Sequence, residues 1–180
     1  MARVIHVQKA RKDNPAVKKG QPYYHWSFRF GGKHYSATYP RPSQLTQSKM
    51  SEVLSQQEAC DDIISELDNN FVVEIKDATT ATRLAELNTQ FRTEIIEKLK
   101  SQLEELKETI TEVLGEYEEA FDVIPSDDNQ ERVDCLTEYE GQIDCAIDDI
   151  GGIEEPDDDD DPDLCELLHA VEDNVGSLDY

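Results

Sequence analysis

Carboxylates are the groups whose chemistry must be asked about first, because Asp and Glu number 41 in a chain of 180 residues with 17 Lys and Arg. A general acid and base pair needs a pocket that separates the two protonation states, and no spacing in the chain singles out such a pair. Asp157, Asp158, Asp159, Asp160 and Asp161 form an unbroken run. The run lacks the glycine and closing glutamate of an EF-hand loop, so it reads as a self-repelling, solvated spacer between Pro156 and Pro162. His6, His25 and His34 have no cysteine beside them at zinc spacing. Cys60, Cys135, Cys145 and Cys165 show no CxxC pattern and read as reduced, half-buried thiols. On one helix Cys135 and Cys145 would stand about 15 Å apart, too far to bridge. No catalytic residue, metal or cofactor follows, and the expectation is a non-enzymatic binding protein.

Binding is what these charges are suited to. Residues 1–49 hold ten Lys and Arg against Asp13, a net of +9, which leaves −33 for the remainder of a chain whose total is −24. From residue 121 onward 22 acids face only Arg132. Asp127, Asp128, Glu131, Asp134, Glu138, Asp144, Asp148 and Asp149, with the run Asp157 to Asp161, are therefore candidates for contacting a basic partner. Rows of carboxylates can stand in for phosphates, and magnitudes test the idea. Duplex DNA carries one charge per about 1.7 Å. Residues 127–149 hold nine acids and one Arg over about 34 Å of helix, under half the duplex density of about 20 charges. Packing against a second acidic helix or a second subunit would raise that figure; without it the surface is merely solvated.

The basic end offers a different chemistry. Arg3, Lys9, Arg11, Lys12, Lys18, Lys19, Arg29, Lys33 and Arg41 are interleaved with seven aromatic residues, the combination of phosphate contact and base stacking. In a nucleic-acid-binding head Arg11, Lys12, Lys18, Lys19, Arg29 and Lys33 would hold phosphates, and Trp26 or Tyr35 would stack a base. The competing reading makes the aromatics the head's own core, with its lysines docked on acidic helices.

These residues need elements to position them. Tyr24, Trp26, Phe28 and Phe30 alternate with Tyr23, His25, Ser27 and Arg29 at the period of a strand. Gly31-Gly32 offers positive φ for a hairpin turn, and in Lys33 to Tyr39 the residues Tyr35, Ala37 and Tyr39 share one face. Val4 to Val7 supplies a third strand, since a lone hairpin is marginal in water. After Ser43 the pattern turns helical through Met50, Val53, Leu54, Ile63, Ile64 and Leu67, ending near Asn69-Asn70. Phe71 to Ile75 reads as a connector or short strand. A stripe of Leu84, Leu87, Phe91, Ile95, Leu99, Leu103, Leu106, Ile110, Val113, Tyr117 and Phe121 then predicts one helix over about 81–121, roughly 60 Å long. Such a helix needs a partner helix, from the same chain or a second copy. A structural protein that dimerises through this stripe is a third functional class.

Pro125-Ser126 breaks the long helix and caps the next one, whose apolar face runs through Val133, Leu136, Ile143, Ile147 and Ile150 with Glu140 interrupting it. Gly151-Gly152 is its expected stop, and Leu164 to Val175 a last short helix. The fold class expected is α+β: an antiparallel hairpin or three-stranded sheet over 1–42, a helical body over 43–124, and an acidic helical region over 125–180 with an Asp-rich linker at 156–163. No apolar stretch of about 18 residues occurs, and the N-terminus lacks a signal-peptide core, so a cytoplasmic protein is expected.

The pieces Lys9-Ala10-Arg11-Lys12-Asp13, Tyr23-Tyr24 with Trp26, Phe28 to Lys33 and Ser43 to Ser48 resemble the N-terminal signature of small proteins encoded by tailed bacteriophages, in which an acidic helical region follows. Trp26 to Ser36 alone resembles the three-stranded DNA-binding sheet at the N-terminus of tyrosine-type phage integrases. The first resemblance implies a phage protein acting in a bacterial host and transfers no catalytic residue. By analogy it points to an acidic inhibitor of a host DNA-processing or defence protein.

Overall fold

The computed structural model describes residues 2–29, 31–67, 71–154, 164–176 and 178. The chain forms two compact units, Met1–Ser55 and Gln56–Tyr180. It is α+β, with a small antiparallel sheet followed by helices. Among the described residues no helix is long and apolar enough to cross a membrane.

In the first unit β1 (Ile5–Val7), β2 (Tyr23–Ser27) and β3 (Lys33–Ser36) pair antiparallel in that order. The register sets His6 opposite Tyr24, His25 opposite both Ile5 and Tyr35, Trp26 opposite His34, and Ser27 opposite Lys33. Because side chains alternate across a strand, Trp26, Tyr24, His6 and His34 share one face, and Tyr23, His25, Lys33 and Tyr35 share the other. On the first face Trp26 is buried and Tyr24 half-buried, while His6 and His34 are exposed. The short helix α1 (Pro42–Leu45) buries Leu45, and the Trp26 indole N–H donates to the Gln44 carbonyl oxygen at 3.1 Å. Gln44 in turn accepts from the Arg41 N–H, closing the first turn that begins at Pro42.

Two expectations for this unit change. Gly31 and Gly32 do not adopt positive φ; among the described residues only Gly20 does, at 94°. With Ser27 and Lys33 as the last pair, residues 28–32 join the strands, a connection long enough to turn without the φ > 0 geometry of a two-residue loop. Tyr39 does not share a face with Tyr35. The strand ends at Ser36, whose hydroxyl accepts from the Thr38 N–H, and the bend brings Tyr39 edge-on to Tyr24 at 5.5 Å between ring centroids. Phe30 lies outside the described residues.

Helix α2 (Met50–Glu66) leads into the second unit; its expected end at Asn69-Asn70 lies outside the described residues. Phe71 to Ile75 is not a strand: α3 (Val72–Asp77) is helical. Its β propensity yields to packing, because Phe71 is buried and stacks on Phe91 at 5.7 Å, while Glu74 pairs with Arg83 at 2.9 Å. Helix α4 (Ala81–Gln90) is capped by Thr80, whose hydroxyl accepts from the Arg83 N–H. It continues through a π-helical turn, Phe91–Ile96, into α5 (Glu97–Val123).

That turn alters the predicted stripe. A π turn inserts one extra residue into the helix, so burial passes from Phe91 to Ile96 rather than to Ile95, which is half-buried. Leu84, at the start of the predicted stripe, is 39% exposed. Beyond the turn Leu99, Leu103, Leu106, Ile110 and Val113 are buried as expected.

Ile124 to Ser126 reverses the chain, and the Ser126 hydroxyl accepts from the Asn129 N–H at 3.2 Å to start α6 (Asp127–Glu154). Helix α6 does not stop at Gly151-Gly152 but runs on to Glu154, where the Arg92 guanidinium donates to the Ile153 carbonyl oxygen. Its buried face is Leu136, Tyr139, Ile143, Ala146 and Ile150, so Tyr139 fills the line that Glu140 was expected to break. The buried residues of α5 and of α6 both step by threes and fours, the spacing of paired coiled-coil helices. The partner that the long helix requires is thus α6 of the same chain. Helix α7 (Leu164–Gly176) packs on α6 and buries Leu164, Leu167, Leu168, Val171 and Val175.

Candidate functional site

The α5–α6 hairpin places acids that are distant in sequence on one rod. Lys107 meets Asp144 at 2.6 Å, the Thr111 hydroxyl donates to Glu140, and the Arg132 guanidinium lies 5.5 Å from the Tyr117 ring centroid. Each step forward along α5 is matched by a step back along α6, which is antiparallel packing. The hydrogen bond to Asp144 raises the Lys107 ammonium above its ordinary value, and the charges of Asp144, Glu140 and Asp148 act in the same direction.

Lys107 is the last cation of α5. From Glu108 to Ile143, across the distal half of the hairpin, there are twelve acids and only Arg132, a net of −11. Eleven of those acids are exposed; Glu140 is half-buried. The α5 part, sixteen residues long, covers about 24 Å, and duplex DNA over that length carries about 14 charges. The paired helices therefore reach roughly four-fifths of duplex charge density, where α6 alone falls under half.

Five of the sequence candidates, Asp127, Asp128, Glu131, Asp134 and Glu138, lie in this distal half and are exposed. Asp144, Asp148 and Asp149 are exposed on the proximal half, where Asp144 is neutralised by Lys107. Asp157 to Asp161 lie outside the described residues. Sequence reasoning missed Glu108, Glu112, Glu116, Glu118 and Glu119, because charge averaged over 81–121 hides its own gradient: all five bases of that stretch precede Glu108.

In the first unit the nucleic-acid candidates divide. Trp26 is 5% exposed and belongs to the core, stacked on His34 at 5.5 Å, so it offers no face to a base. Tyr35 and Lys33 stand on the opposite face of the sheet. Arg11, Lys12, Lys18 and Lys19 sit in the β1–β2 connection, and Arg29 follows β2. Among the described residues no group of three or more His, Cys, Asp or Glu side chains gathers as a metal site.

No family model matches the chain, and no curated protein or solved structure matches it either.

Proposed function

We propose that this chain is a non-enzymatic binder whose distal α5–α6 hairpin occupies the nucleic-acid site of a basic, nucleic-acid-handling protein. The charge density of the paired helices, about four-fifths that of duplex DNA, carries the reading. A charged rod becomes a mimic rather than a solvated surface when its charges are held in place, and here the interlocked apolar seam between α5 and α6 holds them. The partner would be recognised through complementary potential, which favours fast, salt-sensitive association. The resemblance to tailed-phage proteins directs the search to host DNA-processing or defence proteins of the bacterial cytoplasm.

The test uses the full chain beside a variant with Glu112→Gln, Glu116→Gln, Glu119→Gln, Asp127→Asn, Asp134→Asn and Glu138→Gln. Both are used to capture partners from a nuclease-treated bacterial lysate over a salt gradient, and the captured protein is then titrated with labelled duplex DNA by fluorescence anisotropy. The expected result is a basic protein that elutes early with salt, that binds either duplex or this chain but not both, and that binds the variant about tenfold or more weakly. Equal binding of the variant, or a ternary complex with duplex, overturns the proposal.

A further inference from the structure

We propose that the second face of the N-terminal sheet binds single-stranded nucleic acid, with Tyr23, His25 and Tyr35 stacking bases and the cations of the β1–β2 connection holding phosphates. This inference is independent of the acidic hairpin and rests on three observations.

The first is that the second face of the sheet carries a compact group of rings. On one side Trp26 and Leu45 are buried, while His6, His34 and Tyr39 stay exposed. On the other, Tyr23, His25 and Tyr35 form a cluster with ring centroids 6.0, 6.0 and 6.3 Å apart, half-buried against one another and bordered by Ile5 at 46% exposure. Three adjacent rings on a pleated surface form a stacking platform, and every base has a π face to lay on one.

The second is that the basic connection is ordered rather than loose. Asn14 Oδ1 accepts from the Ala16 and Val17 N–H groups, both at 2.9 Å. Gln21 Oε1 accepts from the Lys18 N–H, and Gly20 takes the positive φ of 94° that lets the chain turn back. The Gly20 N–H donates to the Ala10 carbonyl and the Ala10 N–H to the Gln21 carbonyl, each at 2.9 Å, so the turn carries on the β1–β2 hairpin. Lys9, Arg11, Lys12, Lys18 and Lys19 are thereby presented at defined positions, which lowers the entropic cost of gripping a backbone.

The third concerns charge. Asp13, the only acid in residues 1–49, accepts from the Lys19 backbone N–H at 2.6 Å. Its carboxylate is thus used to order the turn. Within the first unit's described residues, none of Lys9, Arg11, Lys12, Lys18, Lys19 and Lys33 has a carboxylate at ion-pair distance. Cations alone would suit any polyanion, an acidic protein surface included. The ring platform is what favours nucleic acid, and stacking requires bases that are not already paired.

The experiment measures binding of the full-length chain to a fluorescent oligothymidine of about 20 residues by anisotropy at roughly physiological salt, where screening confines each charge's reach to about 8 Å. The wild type is expected to bind with an affinity that falls as salt rises. Tyr23→Ala with Tyr35→Ala should lose about tenfold or more, while Tyr23→Phe with Tyr35→Phe keeps the rings and retains binding. Trp26 fluorescence of the alanine variant, unchanged from wild type, shows that the sheet remains folded. If it changes, His25→Ala and Lys12→Gln with Lys18→Gln, which spare the tyrosines, serve as the second variant set with the same expected direction. Absence of wild-type binding, undiminished binding by the folded variants, or equal binding of poly-glutamate overturns the proposal.

Discussion

At about pH 8 a thiol-alkylating reagent labels Cys135 and Cys145 while Cys60 stays unmodified until the chain is unfolded. Cys135 and Cys145 are exposed on α6, whereas Cys60, on α2, is 1% exposed. Burial removes water from the thiolate and the neighbouring Asp61 carboxylate repels it, so the Cys60 thiol is pushed from its ordinary 9.0 up to about 12. Only the thiolate is a nucleophile, and a displacement of that size lowers its population by roughly a thousandfold. Peptide mapping by mass spectrometry reads each cysteine separately. Labelling of Cys60 at the rate of the α6 thiols would show that α2 does not pack as described.

The same displacement predicts a pH dependence. The folded chain holds the Cys60 proton more tightly than the unfolded chain, so the stabilisation is fully present below the ordinary 9.0. It is lost as pH rises from there towards about 12, because the unfolded state sheds its proton first. A Cys60→Ser variant flattens that alkaline loss, although at neutral pH it introduces a hydroxyl that needs a hydrogen bond.

The second large effect separates two neighbouring residues. Ile96→Ala should cost about 2–5 kcal/mol, the range for emptying a closed aliphatic site, because Ile96 is fully buried in a turn that packs on α6. Ile95→Ala, at a half-buried position, should cost clearly less. Urea unfolding of both variants, compared at the midpoint with the slope unchanged, checks the order. A regular α-helix through this stretch would reverse it, since the spacing from Phe91 to Leu99 then runs through Ile95.

That pair of isoleucines also shows how far a sequence pattern reaches. Either one satisfies a helical stripe within its tolerance, so periodicity announces the long helix but not the extra residue that redirects it. Phe71 to Ile75 is a similar case. Read locally the segment is β-prone; folded, Phe71 finds the Phe91 ring, and a contact twenty residues away in sequence outweighs a preference worth about 1 kcal/mol across its whole scale. Alternation ranks Trp26 with Tyr35 as a candidate for stacking a base, because it says which residues share a face and not which side chain is covered. The short helix α1 makes that choice by placing the Gln44 carbonyl over the indole N–H.

Some properties were settled by the chain's own order of residues. The opposition of a basic end to an acidic remainder is covalent and survives any fold. The strands of the first unit, the long helix over about 81–121 and the existence of a further helix after Pro125-Ser126 follow from two- and three-to-four-residue periods, which act between neighbours and need no tertiary information. Only the folded molecule decided where charge concentrates. Neither α5 nor α6 is DNA-like by itself, and their sum depends on antiparallel pairing that sets Glu108 to Val123 alongside Asp127 to Ile143. Charge density on a surface is a property of what lies side by side in space, and a linear sequence lists neighbours along one axis only.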